Sequence, residues 1–274
     1  MKRGLPVTEA LHPAGAALER LPTAKLARRL HEGDREAVAA VGRALPAIST
    51  LADEVARRLA AGGRLVYAGA GTSGRLAALD AAECPPTFGV PPSRVVALVA
   101  GGARALRRAV EGAEDDRKAG ARAVARIRAG ARDLVVGVSA SGTTPFVLAA
   151  LAEAGRRGAA TALVTSNPEA RGRVDHRVVL ATGPERIAGS TRMKAGTAAK
   201  MALGLLTSAA FVRLGAVRGG RMVALRPASR KLRGRAVRNV ADLAGVGAVA
   251  ARRLLSAAGW DVRRAIAAAR GYGK

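Results

Sequence analysis

The chain has 274 residues, 49% of them apolar and 24% charged, enough for one sizeable α/β domain with a smaller appendage whose folding buries roughly three-quarters of the extended surface. Its formal net charge of +26 is uneven: beyond Arg213 the only acids are Asp242 and Asp261. Such a surface attracts nucleic acid or acidic lipid through counterion release, but it is almost all arginine in an Ala- and Gly-rich chain, and 2% aromatics leave little to stack on bases, so nucleic acid is not the expected partner.

The N-terminal stretch is interrupted by Pro6 and Pro13 and has no continuous apolar core. No apolar run reaches the roughly 18 residues of a membrane span, so a cytoplasmic protein without a membrane partner is expected. Residues 1–62 read as an N-terminal helical segment, with a helical pattern over 23–61, expected breaks near Gly33-Asp34 and Pro46, and a stop at Gly62-Gly63. A unit then repeats. "RLVYAGAGTSGRLAALDAA" and "DLVVGVSASGTTPFVLAALAEA" each read as a short apolar strand, a loop of Gly, Ser and Thr, and a helix, while "RVVALVA" and "ATALVTS" supply further strands. Strands alternating with helices predict an α/β fold over residues 63–226, a parallel sheet covered on both faces. A long helix follows Gly189-Ser190-Thr191 to about Leu214, and residues 227–274 read as a helical appendage broken near Gly245, Gly247 and Gly259.

Gly69-Ala70-Gly71-Thr72-Ser73-Gly74 spells G-x-G-x-x-G between a strand and a helix, the pattern of a dinucleotide loop. That reading needs an acid at the end of the next strand; here the strand ends in Gly101-Gly102, and no P-loop motif occurs, so no cofactor is expected. What remains is a loop of hydroxyls and amides at a helix start, which suits a phosphate monoester. Two such loops should converge at the strands' carboxyl ends: Gly71, Thr72 and Ser73 from one, and Ser139, Ser141, Gly142, Thr143 and Thr144 from the other. Ser190, Thr191 and Lys194 are candidates for a third contribution. The plainer alternative is that these hydroxyls cap helices.

Two carboxylates stand out. Glu83 lies beside Ala81, Ala82 and Pro85, at the end of a helix that Pro85 should halt, a setting expected to desolvate it and keep a proton on it. Glu114 sits in "AVEGAEDD" between helical segments, with Asp115 and Asp116 beside it. An acid near a helix start is also what the helix dipole favours, so the residues alone leave both roles open. Cys84, as the single cysteine, excludes an internal disulfide; it reads as a packed thiol, a reactive one being the alternative. His12, His31 and His176 are scattered without ligand spacing, so no metal is implied.

"GAGTSGRLAALDAAECPPTFGV", "AVEGAEDD", "ASGTTPFV" and "GSTRMKAGTAAKMALGLL", in this order, resemble the N-acetylmuramic acid 6-phosphate etherases of the sugar isomerase (SIS) superfamily, from "LPTAKLARRLHEGD" to "KLRGRAVRNV". The resemblance implies a three-layer αβα sandwich around a parallel sheet and a homodimer with sites near the subunit interface. It also implies cleavage of the ether between D-lactate and C3 of a sugar phosphate, with Glu83 as acid and Glu114 as base. Three departures stand out: Thr143 where the family usually carries Arg, Ser229 or Arg230 where Asn is common, and a shorter tail. A non-catalytic sugar-phosphate sensor, which needs the loops but not both glutamates, and an aldose–ketose isomerase are the alternatives within the superfamily.

Overall fold

The computed structural model describes residues 7–225, 227 and 229–271; Pro6 and the outer ends of the first and last segments lie outside them. Three short 3-10 turns, Val7–Glu9, Pro13–Gly15 and Leu18–Arg20, lead into helix α1, Thr23–Ala60. The expected breaks in α1 do not occur. Ala37, Ala40, Val41, Ala44, Ile48, Leu51, Ala52, Val55 and Leu59 bury one continuous stripe on either side of Pro46, and that burial outweighs the single backbone bond the proline ring removes. Gly33 is no break either, because it lets the helix pass Lys194, whose side chain would lie 3.0 Å from a Cβ there.

The strands are β1 (Leu65–Gly69), β2 (Val95–Val99), β3 (Leu134–Val138), β4 (Ala160–Thr165) and β5 (His176–Val179). They form one parallel sheet in the order β2-β1-β3-β4-β5, with Leu65 level with both Val95 and Leu134. The central strands β1 and β3 are apolar throughout because both faces are covered. On one face α1, α2 (Gly71–Phe88) and α5 (Lys194–Arg213) pack over Leu65, Tyr67, Leu134 and Val136. On the other, α3 (Arg117–Arg126) and α4 (Pro145–Arg156) pack over Val66, Ala68, Val135 and Leu163. This is the expected α/β fold, three layers around a parallel sheet. Among the described residues one helix, α5, has a length and a mean hydropathy of 1.3 that would suit a membrane span. It is a core helix, with Ala198, Ala202, Leu203, Leu206 and Ala210 buried in the layer it shares with α1 and α2.

After a short hairpin, β6 (Val217–Arg218) and β7 (Arg221–Met222), come α6 (Arg230–Ala244), α7 (Ala248–Ala257) and α8 (Val262–Gly271). These three share a core of their own, including Val237, Val240, Leu255, Val262 and Ile266. Gly245 ends α6 in the left-handed conformation at φ 66°, as its place in the sequence suggested.

One carboxylate is held inside the layer of α1, α2 and α5. The Tyr67 hydroxyl donates to Asp80 Oδ2 at 2.8 Å and that of Thr207 donates to Oδ1 at 3.0 Å. Burial nevertheless pushes the Asp80 carboxyl up from 3.8 to about 6. The folded state therefore holds an extra proton between those values, and the stability this group contributes falls as pH rises through that window. Asp80→Asn removes the fall. Urea unfolding of both proteins at about pH 4 and about pH 7.5 should show the difference moving in the variant's favour by about 2 kcal/mol. A difference independent of pH would mean that folding leaves the Asp80 carboxyl at its ordinary value.

Candidate active site

In this strand order the chain leaves β1 towards one edge of the sheet and returns to build β3 on its other side. The loops after β1 and β3 consequently part at the carboxyl ends, where ligands bind in such sheets. A cleft of about 370 Å³ opens there. It is lined by Gly71, Thr72 and Ser73 of α2, by Ser139, Ser141, Thr143 and Thr144 of the β3–α4 loop, and by Glu114, Asp115, Gly189 and Thr191.

The glycines of the first loop serve the backbone. A Cβ on Gly69 would lie 2.8 Å from the Gly74 nitrogen, and one on Gly74 would lie 2.7 Å from the Gly69 oxygen, so strand and helix approach closely. Gly71 takes φ 52°, and Ala70 before it has no side chain to cap the helix. The amides of Gly71, Thr72 and Ser73, the first of α2, have no acceptor inside the helix and stand at the cleft.

In the second loop the hydroxyls bind one another. Ser139 Oγ lies 2.8 Å from Thr144 Oγ1 and accepts the Gly142 amide at 3.1 Å; Ser141 Oγ accepts the Thr143 amide at 3.2 Å and the Thr143 hydroxyl at 2.9 Å. Thr144 precedes α4, yet its side chain caps nothing. Helix capping thus does not account for this cluster. Gly142 shapes the turn from outside the cleft: at φ 70°, its Cβ would meet that of Ala170 at 2.3 Å.

The two glutamates separate. Glu114 is exposed on the cleft wall, and its carbonyl accepts the Phe146 amide at 2.9 Å, which ties it to the start of α4. Glu83 is exposed as well, and the desolvated setting expected for it is absent from the protomer. Pro85 does not halt the helix, because both prolines fall in the last turn and α2 runs on to Phe88, closed by Gly89. Ala77, Ala81, Cys84 and Phe88 face the core, which leaves Glu83 on the outer face. Twelve residues beyond Gly71, it stands about 18 Å along the helix from the cleft.

Of the third group, Thr191 lines the cleft, whereas half-buried Ser190 lies beside it with its amide on the Ile187 carbonyl at 2.9 Å. Lys194 is not brought in. It is 2% exposed, its ammonium paired with Glu36 of α1. Its amide and that of Ala195 donate to buried Glu185, at 3.0 and 2.9 Å, so Glu185 closes the start of α5. The sequence reading missed Glu185, Thr8 and Glu9. An acid in the apolar, Gly-rich "ATGPERIAGS" was a signal for the first; Thr8 and Glu9 reach the cleft by pairing with Gly189, which no local pattern shows.

Residues 47–154 match the family model for the glucokinase regulatory protein N-terminal SIS domain. An N-acetylmuramic acid 6-phosphate etherase from Symbiobacterium thermophilum is 47% identical, covering 96% of this chain and 88% of its own. Those from Deinococcus radiodurans and Salmonella choleraesuis are 48% and 42% identical, over 94% and 97% of this chain and 86% and 90% of theirs. The chain belongs to this etherase family. A phosphoheptose isomerase from Francisella tularensis shares the fold at TM-score 0.54 and 19% identity, covering 69% of this chain and 98% of its own. So does a protein of E. coli CFT073, at TM-score 0.52 and 18% identity over 73% of this chain and 97% of its own.

Two features of this etherase chain bear on its chemistry. With Thr143 at the tip of the β3–α4 loop, no Lys or Arg lines the cleft among the described residues, so its donors there are hydroxyls and amides. Cys84 is a packed thiol: burial pushes it up to about 12, and its S–H donates to the Asp80 carbonyl at 3.2 Å.

Proposed function

We propose that the protein is an N-acetylmuramic acid 6-phosphate etherase, a lyase that releases D-lactate from C3 of the sugar and leaves N-acetylglucosamine 6-phosphate. The observation that carries this reading is the cleft of hydroxyls and amides at the switch point with Glu114 on its wall, in a chain of this family. The 6-phosphate sits on the loops at Gly71–Ser73 and Ser139–Thr144. In the open-chain sugar the C2 proton is acidic because it lies α to the C1 aldehyde. Glu114 takes it, the electron pair moves into the enolate, and the C3–oxygen bond breaks. Glu83 protonates the departing ether oxygen; water then adds at C3 and a proton returns to C2. The balance is a net hydrolysis without metal or cofactor.

For Glu83 to take part, a second copy has to bring it. Leu79, 49% exposed, shares its face of α2, and in the same layer Val38 and Leu45 of α1 and Leu205 and Val212 of α5 are exposed at seven-residue spacing. Apolar side chains in that pattern suit a homodimer. A phosphorylated sugar, which does not cross membranes unaided, points to the cytoplasm.

Incubation with N-acetylmuramic acid 6-phosphate and an enzymatic assay for D-lactate test the reading. No release above a no-protein control, from folded protein, would leave the second reading, a sugar-phosphate sensor, for which the match to a regulatory protein's SIS domain speaks. The cation-free cleft gives a further expectation. Thr143→Arg should tighten N-acetylglucosamine 6-phosphate roughly tenfold, since a hydrogen bond to a charged group contributes about 1.5–3 kcal/mol. Unchanged affinity in calorimetry would place the phosphate away from this loop.

A further inference from the structure

The wall of the cleft contributed by the N-terminal segment has no part in the chemistry above. Val7–Glu9 is a single 3-10 turn held across the loop before α5, the Gly189 amide donating to the Thr8 carbonyl at 3.1 Å. Gly189 takes φ 74°, and a Cβ there would lie 2.9 Å from Glu9 Oε2, so the glycine makes room for the carboxylate. The turn is anchored from behind. His12 lies 3.2 Å from the buried Arg186 guanidinium, and Gly15 passes so close to the Arg186 carbonyl that a Cβ would meet it at 2.5 Å.

Thr8 and Glu9 both line the cleft. Thr8 is 0% exposed, and its Oγ1 has no hydrogen-bond partner among the described residues. A buried hydroxyl left so costs about 1–3 kcal/mol unless a ligand or water meets it. Glu9 shares the cleft with Glu114 and Asp115 and with no Lys or Arg among the described residues. A carboxylate in that company repels a phosphate or a lactyl carboxylate. What it can accept is a neutral donor, and a charge-assisted hydrogen bond of that kind is among the stronger ones.

We infer that Glu9 binds the uncharged part of the sugar, accepting a hydrogen bond from a hydroxyl or the acetamido N–H, and so sets the specificity of the cleft for a sugar over a bare phosphate. The inference rests on the reading of the cleft as a sugar-phosphate site. The division of labour is one of charge: hydroxyls and amides of the two loops take the anion, and Glu9 takes donors that the anion lacks.

Calorimetric titration of N-acetylglucosamine 6-phosphate and of inorganic phosphate into the full chain, its Glu9→Ala variant and its Glu9→Gln variant tests this. Glu9→Ala should weaken the sugar phosphate about 10- to 100-fold, and Glu9→Gln, which keeps a neutral acceptor, by less. Inorganic phosphate should bind both variants at least as well as wild type, because a negative charge has gone. An equal loss for the two ligands would reveal a displaced turn rather than a sugar contact, and no loss for the sugar phosphate would remove Glu9 from the site; either result overturns the inference. Wild-type protein that binds inorganic phosphate but no sugar phosphate would overturn the reading of the cleft and Glu9's role with it, and the wild-type titration alone reveals that.

Discussion

Glu114→Gln should lower kcat by about 10²–10⁴-fold, the usual contribution of a positioned base, and abolish wash-in of solvent deuterium at C2. The position of Glu114 follows from packing more than from its own loop. Its carbonyl accepts the amide of Phe146, the second residue of α4, and the preceding Thr144 is bonded to Ser139 in the hydroxyl cluster. Behind it, Gly120 of α3 touches the same turn so closely that a Cβ would lie 2.1 Å from the Phe146 carbonyl. The backbone that carries Glu114 is thereby fixed relative to the Ser139–Thr144 loop, and a sugar phosphate anchored on that loop would present its C2 at a constant place. Glutamine preserves the contacts and removes the basic oxygen, so binding of N-acetylglucosamine 6-phosphate should survive while exchange is lost. Asp115, which also lines the cleft, is the control. Were exchange retained in Glu114→Gln and lost in Asp115→Asn, the base would be Asp115.

The parts of this site that the sequence revealed are those built by local pattern. The two strand–loop–helix units announced themselves through short apolar runs ahead of Gly, Ser and Thr, and the order of the strands then brings their loops together without further information. What local pattern misjudged was proline. Pro46 has a long buried stripe on both sides, and Pro85 and Pro86 lie where the helix is about to end, so in neither place does the lost backbone bond decide the outcome. What it could not show were pairings across large sequence distances. Lys194 follows a candidate loop in the sequence, but its side chain is drawn to Glu36 on α1, and Thr8 and Glu9 enter the cleft through Gly189. Half-buried Asp80 belongs with these, since its partners Tyr67 and Thr207 come from β1 and α5.

Glu83→Gln should also cost about 10²–10⁴-fold in lactate release, but with exchange at C2 retained, because an acid acts after the proton has left. The geometry of α2 adds a sharper expectation. The helix begins at the cleft and carries Glu83 about 18 Å away on its outer face, next to exposed Leu79 and Pro86. No side-chain rotation spans that distance, so a role for Glu83 requires it to serve the cleft of another subunit. Mixing the two inactive variants discriminates. In a two-fold dimer with shared sites, a subunit carrying Glu114→Gln and one carrying Glu83→Gln together form one site with both carboxyl groups intact and one with neither. Random reassortment should then restore about a quarter of wild-type activity, half the dimers being mixed and half of their sites complete. If every site were built within one chain, each would still lack one group and the mixture would stay inactive, against the shared site; if Glu83→Gln alone kept full lactate release, Glu83 would act in neither subunit, and the acid would have to be sought among the carboxylates that do line the cleft, Glu9 and Asp115.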